Sequence, residues 1–256
     1  LVVFSSHYFS VIQQGKLLET EYILGLISFF TSVIAGVIGF GGGMLLIAVL
    51  PLFLSPSLII PIHGITQLAS NSSRMVFSLK DVQWALLPKF LLGSLVGVLL
   101  FGFLLSNIST QYVPVCIGLY ILLSLWSERF SKVINKYENY FLIGLLQTGL
   151  SLIVGATGPL SLAVLTKNLK SKDEIIATGS MFMSISHLAK VPVFMALGVS
   201  LAGHLNLLVF MVLGTVLGSF IGTKLRLAAN NDKLILVIKI LLSLMALRML
   251  IVAFVF

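Results

Sequence analysis

Residues 39–44 read Gly-Phe-Gly-Gly-Gly-Met, and residues 155–160 read Gly-Ala-Thr-Gly-Pro-Leu. Each stretch interrupts a long apolar run and is followed by an apolar segment, 43–54 or 158–167, too short to cross a hydrocarbon core of about 30 Å at about 1.5 Å per residue. The offset that carries Gly39 onto Gly155 also carries Gly42 onto Gly158, Asn71 onto His187 and Arg74 onto Lys190. At a second offset Gly93 and Gly97 fall on Gly214 and Gly218, so the second half holds a few extra residues before Gly214. The chain therefore reads as one pattern written twice, with a chance match among glycine-rich helices as the plain alternative.

Around these breaks the composition is that of a protein dissolved in lipid. Of 256 residues, 58% are hydrophobic and 9% charged, and the mean hydropathy is +1.12. A soluble domain carries about 25% charged residues. Turn residues and charges divide the apolar runs into helices expected at 20–39, 43–54, 57–78, 82–106, 110–127, 139–154, 158–167, 174–198, 204–223 and 233–255. The net charge of +8 belongs to short gaps between these runs, so positive-inside sorting accounts for it and nucleic acid is not an expected partner. Cys116 is the single cysteine and cannot form a disulfide within the chain. No basic region precedes a short apolar core near Leu1, so a cleaved secretory signal is not expected.

The charges also set a topology. Lys80, Arg129 to Lys136, Lys167 to Lys172 and Lys224 to Lys233 lie in basic gaps, whereas the gaps near 55, 107 and 200 hold no Lys or Arg. With the basic gaps on the cytoplasmic side, 139–167 must enter and return, and 20–54 must do the same from the other face. A hairpin plus three crossings per half turns the second copy over. The expected fold is all-α: a single polytopic membrane domain over 1–256, with two inverted repeats at about 20–127 and 139–255. Each repeat has a broken-helix hairpin and three transmembrane helices, a recurrent transporter plan. Eight continuous spans are the alternative.

The eight acidic residues, Glu19, Glu21, Asp81, Glu128, Glu138, Asp173, Glu174 and Asp232, are expected at helix ends or in loops, so no carboxylate is placed to hold a cation or relay a proton at mid-membrane. Basic and polar groups do enter the apolar runs. Gln67, Asn71 and Arg74 share one helical face, and Ser180, Ser184, His187 and Lys190 share another. Thr157 is a suitable N-cap and Pro159 suits a first turn, so a half-helix starts inside the membrane. Backbone donors of Gly41, Gly42, Gly43, Thr157 and Gly158, the charges of Arg74 and Lys190, and the polar groups of Gln67, Asn71, Ser184 and His187 together describe a substrate site for a small anion, most simply an oxyanion. The competing reading has Arg74 and Lys190 snorkelling to opposite surfaces and the break glycines serving only close packing, as Gly93, Gly97, Gly214 and Gly218 do. His63, alone in its turn, reads as an interhelical hydrogen bonder, and Lys239 and Arg248 as snorkelling or packing charges.

With its duplicated glycine break, the Asn71 to Arg74 segment, and Gly-Ser-Leu-Val-Gly at 93–97 echoed by Gly-Thr-Val-Leu-Gly at 214–218, the chain resembles the TauE/SafE family of sulfite exporters over roughly 20–255. The resemblance implies a multi-pass permease of the cytoplasmic (cell) membrane for sulfite, sulfonates or related organic anions. It maps the family's motif onto Gly39, Gly41, Gly42, Gly43, Asn71 and Arg74, and onto Gly155, Gly158, Pro159, His187 and Lys190. Thr-Gly-Pro in the second half departs from Gly-Gly-Gly in the first.

The expected function is thus secondary transport of a small sulfur-containing oxyanion, with a passive anion channel as the alternative and an intramembrane enzyme as a remoter one. His-Glu-x-x-His, Gly-x-Ser-x-Gly and the nucleotide-binding Gly-x4-Gly-Lys-Ser/Thr are all lacking, so neither hydrolytic chemistry nor ATP hydrolysis is expected, and no catalytic residue, metal or cofactor is assigned. The expected partners are the anion and the bilayer, with a homo-oligomer left open.

Overall fold

A computed structural model describes residues 2–39, 41–130, 132, 139–225 and 232–255; the side chains of 2–18, 232–234, 254 and 255 are outside the description. Part of the basic gap 129–136, Arg226 of the gap 224–233, Glu138, and the side chains of Lys16, Asp232 and Lys233 therefore lie outside it. Among the described residues there is no strand. The main helices are α1 (Val2–Ile38), α2 (Gly42–Val49), α3 (Pro56–Phe77), α4 (Leu87–Leu105), α5 (Val113–Trp126), α6 (Tyr140–Val154), α7 (Gly158–Asn168), α8 (Lys172–Ala196), α9 (Leu205–Leu225) and α10 (Asp232–Val255).

These bounds follow the sequence reading within a few residues, with three differences, the first being that the helix expected over 43–54 ends at Val49 and gives way to a 3₁₀ turn at Leu50–Leu52. Helix α1 continues back to Val2, beyond the apolar run. Residues 84–86 and 110–112 form single 3₁₀ turns ahead of α4 and α5, whose first turns carry Pro88 and Pro114.

Four segments, Glu19–Ile38, Trp84–Leu105, Ala202–Leu225 and Ile235–Ala253, are long and apolar enough to cross a membrane. Their outward side chains are large and apolar: Leu99 is 74% exposed and Phe103 73%, which water would penalise and lipid does not. Helices α3 and α8 are the reverse. At 22 and 25 residues they can span the core, yet their polar side chains are turned inward and buried. The most polar helices thus form the centre, and the most apolar ones meet the surroundings.

The two tightest helix pairs, α1 with α9 and α4 with α6, are built on glycine. A methyl group at Gly93 would strike the Phe141 carbonyl oxygen, and one at Gly97 the Leu145 carbonyl oxygen. At Gly214 and Gly218 the atoms struck are the carbonyl oxygens of Gly25 and Phe29. Main chain lies against main chain at all four positions, as small-residue helix packing requires. The offset that joins Gly39 to Gly155 also joins Gly25 to Phe141 and Phe29 to Leu145, so the two crossings correspond residue for residue.

Candidate functional site

Both breaks fall where the sequence places them. Helix α1 ends at Ile38 and α2 begins at Gly42; α6 ends at Val154 and α7 begins at Gly158. The chain reverses through Gly39 (φ 98°) and Gly41 (φ 88°) in the first break and through Gly155 (φ 79°) in the second, backbone states that an L side chain resists. At about 12 Å and 16 Å, α2 and α7 are half-helices. Their N-termini meet in the interior.

Where they meet there is a cavity of about 50 Å³. The first break supplies Gly39, Gly41, Gly43 and Met44, and the second supplies Ala156, Gly158, Pro159 and Ser161. Helix α3 adds Gln67, Asn71 and Arg74; α8 adds Gly179, Ser180 and Met183. A wider space of about 450 Å³ shares Gly41, Met44, Pro159 and Leu162 with this cavity and is bounded also by Glu128 and Lys239. Lys239, read from sequence as a packing charge, lines that space.

Arg74 is 3% exposed. Its guanidinium donates from Nη1 to the Ala35 carbonyl (3.1 Å) in the last turn of α1, and from Nη2 to Asn71 Oδ1 (2.9 Å) and Ser70 Oγ (3.4 Å). Asn71 in turn donates from Nδ2 to the Gln67 carbonyl (2.8 Å) and to Gln67 Oε1 (3.4 Å). A helix C-terminus favours a cation and offers unpaired carbonyls, so Arg74 is held by the end of α1 while its side chain lines the cavity. Gln67 Nε2, buried and beside the cavity, has no hydrogen-bond partner. An orphaned buried donor costs free energy unless a ligand satisfies it.

The second basic residue is equally buried and differently placed. Lys190, 1% exposed, donates from Nζ to the Gly155 carbonyl and is hydrogen-bonded to His187 Nδ1 (2.9 Å), with Gly64 packed on its stem. Neither Arg74 nor Lys190 snorkels to a surface; each anchors the C-terminal end of a broken helix. Among the described residues no Asp or Glu lines the cavity or is buried as a whole; the one enclosed carboxylate oxygen among them is Glu21 Oε2 on α1.

Of the residues singled out from sequence, Gly41, Gly43, Gln67, Asn71, Arg74 and Gly158 line the cavity, and Gly42, Thr157, Ser184, His187 and Lys190 do not. Gly42 packs on the Thr31 carbonyl of α1. Ser184 accepts from Ser72 (3.2 Å), joining α8 to α3. Thr157 holds the N-cap position of α7, but its hydroxyl donates to the Gln147 carbonyl (2.8 Å) instead of capping the helix. Gln147 does that work: its Oε1 accepts the Ser161 N–H (3.1 Å). Sequence reasoning missed Gln147 and Ser161. The available signal was an amide inside the apolar run 139–154, uninterpretable without knowing that α7 folds back beside α6.

Both halves of the described chain thus contribute a half-helix N-terminus to one buried, basic cavity with no carboxylate in its lining, which defines a polytopic helical membrane protein with broken helices. The model of the sulfite exporter TauE/SafE family matches residues 24–249, and the chain belongs to that family. The family is one of membrane transporters of sulfite and related anions, not of enzymes. Comparison with the curated proteins and with the solved structures gives no match.

Proposed function

We propose that this protein is a secondary transporter of the cell membrane that carries a small sulfur-containing oxyanion, sulfite or an organosulfonate, through the cavity between the two breaks. The observation that carries this reading is the joint lining of that cavity. Two half-helix N-termini, the Arg74 guanidinium and the partnerless Gln67 Nε2 converge there, a set of donors and positive potential suited to an oxyanion. The small cavity favours the inorganic anion and the shortest sulfonates; a longer tail would extend past Gly41 and Pro159 into the wider space beside it.

Alternating access between inverted repeats is the mechanism we assign. Its support is directional. Contacts of α3 with α8 pair Ser72 with Ser184 but Gly64 with Lys190, so these equivalent helices run antiparallel, whereas α1 runs parallel to α9 and α4 parallel to α6. Repeats related by inversion require this arrangement; a simple in-plane rotation of the second copy would leave α3 and α8 parallel. A carrier is favoured over a channel because the route beyond the cavity is filled by Lys190 on Gly155 and by His63 Nε2 on the Gly43 carbonyl (2.9 Å).

The test is counterflow in proteoliposomes loaded with unlabelled sulfite. Transient accumulation of labelled sulfite above equilibrium, lost on Arg74→Gln, supports a carrier using this site. Uptake that only equilibrates points to a channel, and no sulfite flux at all defeats the proposal.

A further inference from the structure

A second cluster of titratable groups lies behind the cavity wall and takes no part in lining it. His63 on α3 and His187 on α8 are fully buried, their rings edge to face with centroids 5.5 Å apart. His63 Nε2 faces the Gly43 carbonyl, which can only accept, so the hydrogen is on Nε2 and Nδ1 holds a free lone pair. His187 Nδ1 lies 2.9 Å from Lys190 Nζ, and with Nζ donating to it, as it does to the Gly155 carbonyl, Nδ1 accepts and Nε2 carries the hydrogen. His63 Nδ1 and His187 Nε2 have no hydrogen-bond partner. An acceptor and a donor are therefore left over on two touching rings, in an interior where orphaned polar atoms are rare.

From these positions we infer that the His63–His187 pair is a proton-binding site whose occupancy is coupled to that of the anion cavity. This rests on the anion-transport reading above and adds the coupling ion to it. The free lone pair of His63 Nδ1 is where the proton adds, and no bond other than N–H forms. Gly43 joins the two sites physically, since it lines the cavity while its carbonyl holds His63. Lys190, at the other end of the cluster, lines a separate space of about 550 Å³ with Pro61, Phe194 and Ser200.

The coupling follows from charge. The charged groups acting on the two rings are Lys190 and Arg74, both cations. Helix α2 has no titratable side chain, those of α4, α6, α7 and α9, namely Lys89, Tyr140, Lys167 and Lys224, lie in terminal turns, and Glu19, Glu21 and Tyr22 of α1 and Cys116 and Tyr120 of α5 do not act on either ring. With no carboxylate among the groups that act on either ring, a third positive charge is tolerable only when the neighbouring cavity holds a negative one. Proton and anion then favour each other's binding, and by reciprocity the effect is equal in both directions.

The experiment is binding of labelled methanesulfonate to the full chain in detergent across roughly pH 5 to 8, the range in which histidine changes charge. Methanesulfonate keeps a single negative charge throughout, so any pH dependence belongs to the protein. The affinity should rise about tenfold for each unit of falling pH where one proton enters with the anion. A pH-indicator dye in weakly buffered solution should report about one proton taken up per anion bound. His63→Gln, which keeps a donor for the Gly43 carbonyl, should bind with a flat pH profile. A flat profile and no proton uptake in the unchanged protein would overturn the inference while leaving the anion site standing, as would an unaltered slope in both His63→Gln and His187→Gln. The dye measurement needs no variant and decides the matter if either fails to fold. Absence of methanesulfonate and sulfite binding at every pH would instead overturn the transport reading, and this inference with it.

Discussion

Replacing Gly93 by Ala should lower the melting temperature of the solubilised protein by several degrees. The added methyl is directed at the Phe141 carbonyl oxygen of α6, a main-chain atom with no rotamer by which to move aside, so α4 and α6 must separate. Overpacking of this kind costs about 1–3 kcal/mol, and rigid backbone on both sides places it near the upper figure. Against this, Ala is the better helix former by about 1 kcal/mol. The net loss of about 2 kcal/mol corresponds to a fall of about 4–8 °C for a chain of this size. Gly203 is the control. No atom lies within 4 Å of a methyl built there, so Gly203→Ala should melt with the unchanged protein or above it. Gly214→Ala, aimed at the Gly25 carbonyl in the equivalent crossing, should fall as far as Gly93→Ala. Thermal melts by tryptophan fluorescence suffice. An unshifted Gly93→Ala would refute the close-packing argument, and a fall in Gly93→Ala without one in Gly214→Ala would refute the equivalence of the two crossings.

Two predictions concern the cavity. Arg74→Gln removes the charge but leaves an amide for the Ala35 carbonyl, so sulfite affinity should drop by roughly tenfold to a hundredfold, the loss of a charged hydrogen bond worth about 1.5–3 kcal/mol; equilibrium binding measures it, and a change under about twofold would contradict it. Gln67→Met replaces an amide whose Nε2 is buried without a partner, so the ligand-free protein should melt no lower than the unchanged one, and about 2 °C higher or more, while binding sulfite more weakly. A variant that is less stable yet binds normally would show that Gln67 serves the fold and not the ligand.

Much of the fold is legible in the sequence because lipid leaves few options. Apolar runs must be helices, glycine clusters must interrupt them, and a half-length run must turn back. Gly39, Gly42, Gly155 and Gly158 therefore declare both breaks, and Gly93, Gly97, Gly214 and Gly218 declare the close crossings. The site is only half legible. Helical spacing puts Gln67, Asn71 and Arg74 on one face, and all three line the cavity. The same rule puts Ser180, Ser184, His187 and Lys190 on one face, and of these four Ser180 lines the cavity while the others do not; spacing does not specify which end of an antiparallel pair stands open. Lys190 closes on Gly155, and His187 packs on His63. Gln147, which holds the first turn of α7, escapes notice because its partner Ser161 lies across a reversal that no periodicity encodes.

One small oxyanion is expected to sit between the two breaks. Selenite, close to sulfite in shape and charge, makes this directly visible through the anomalous scattering of selenium in a crystal of the full chain. A selenium peak is expected in the cavity, within hydrogen-bonding distance of Arg74 and Gln67 Nε2 and against the α2 N-terminus at Gly43. An empty cavity at saturating selenite, or selenium bound only elsewhere, in protein that still transports sulfite, would contradict it.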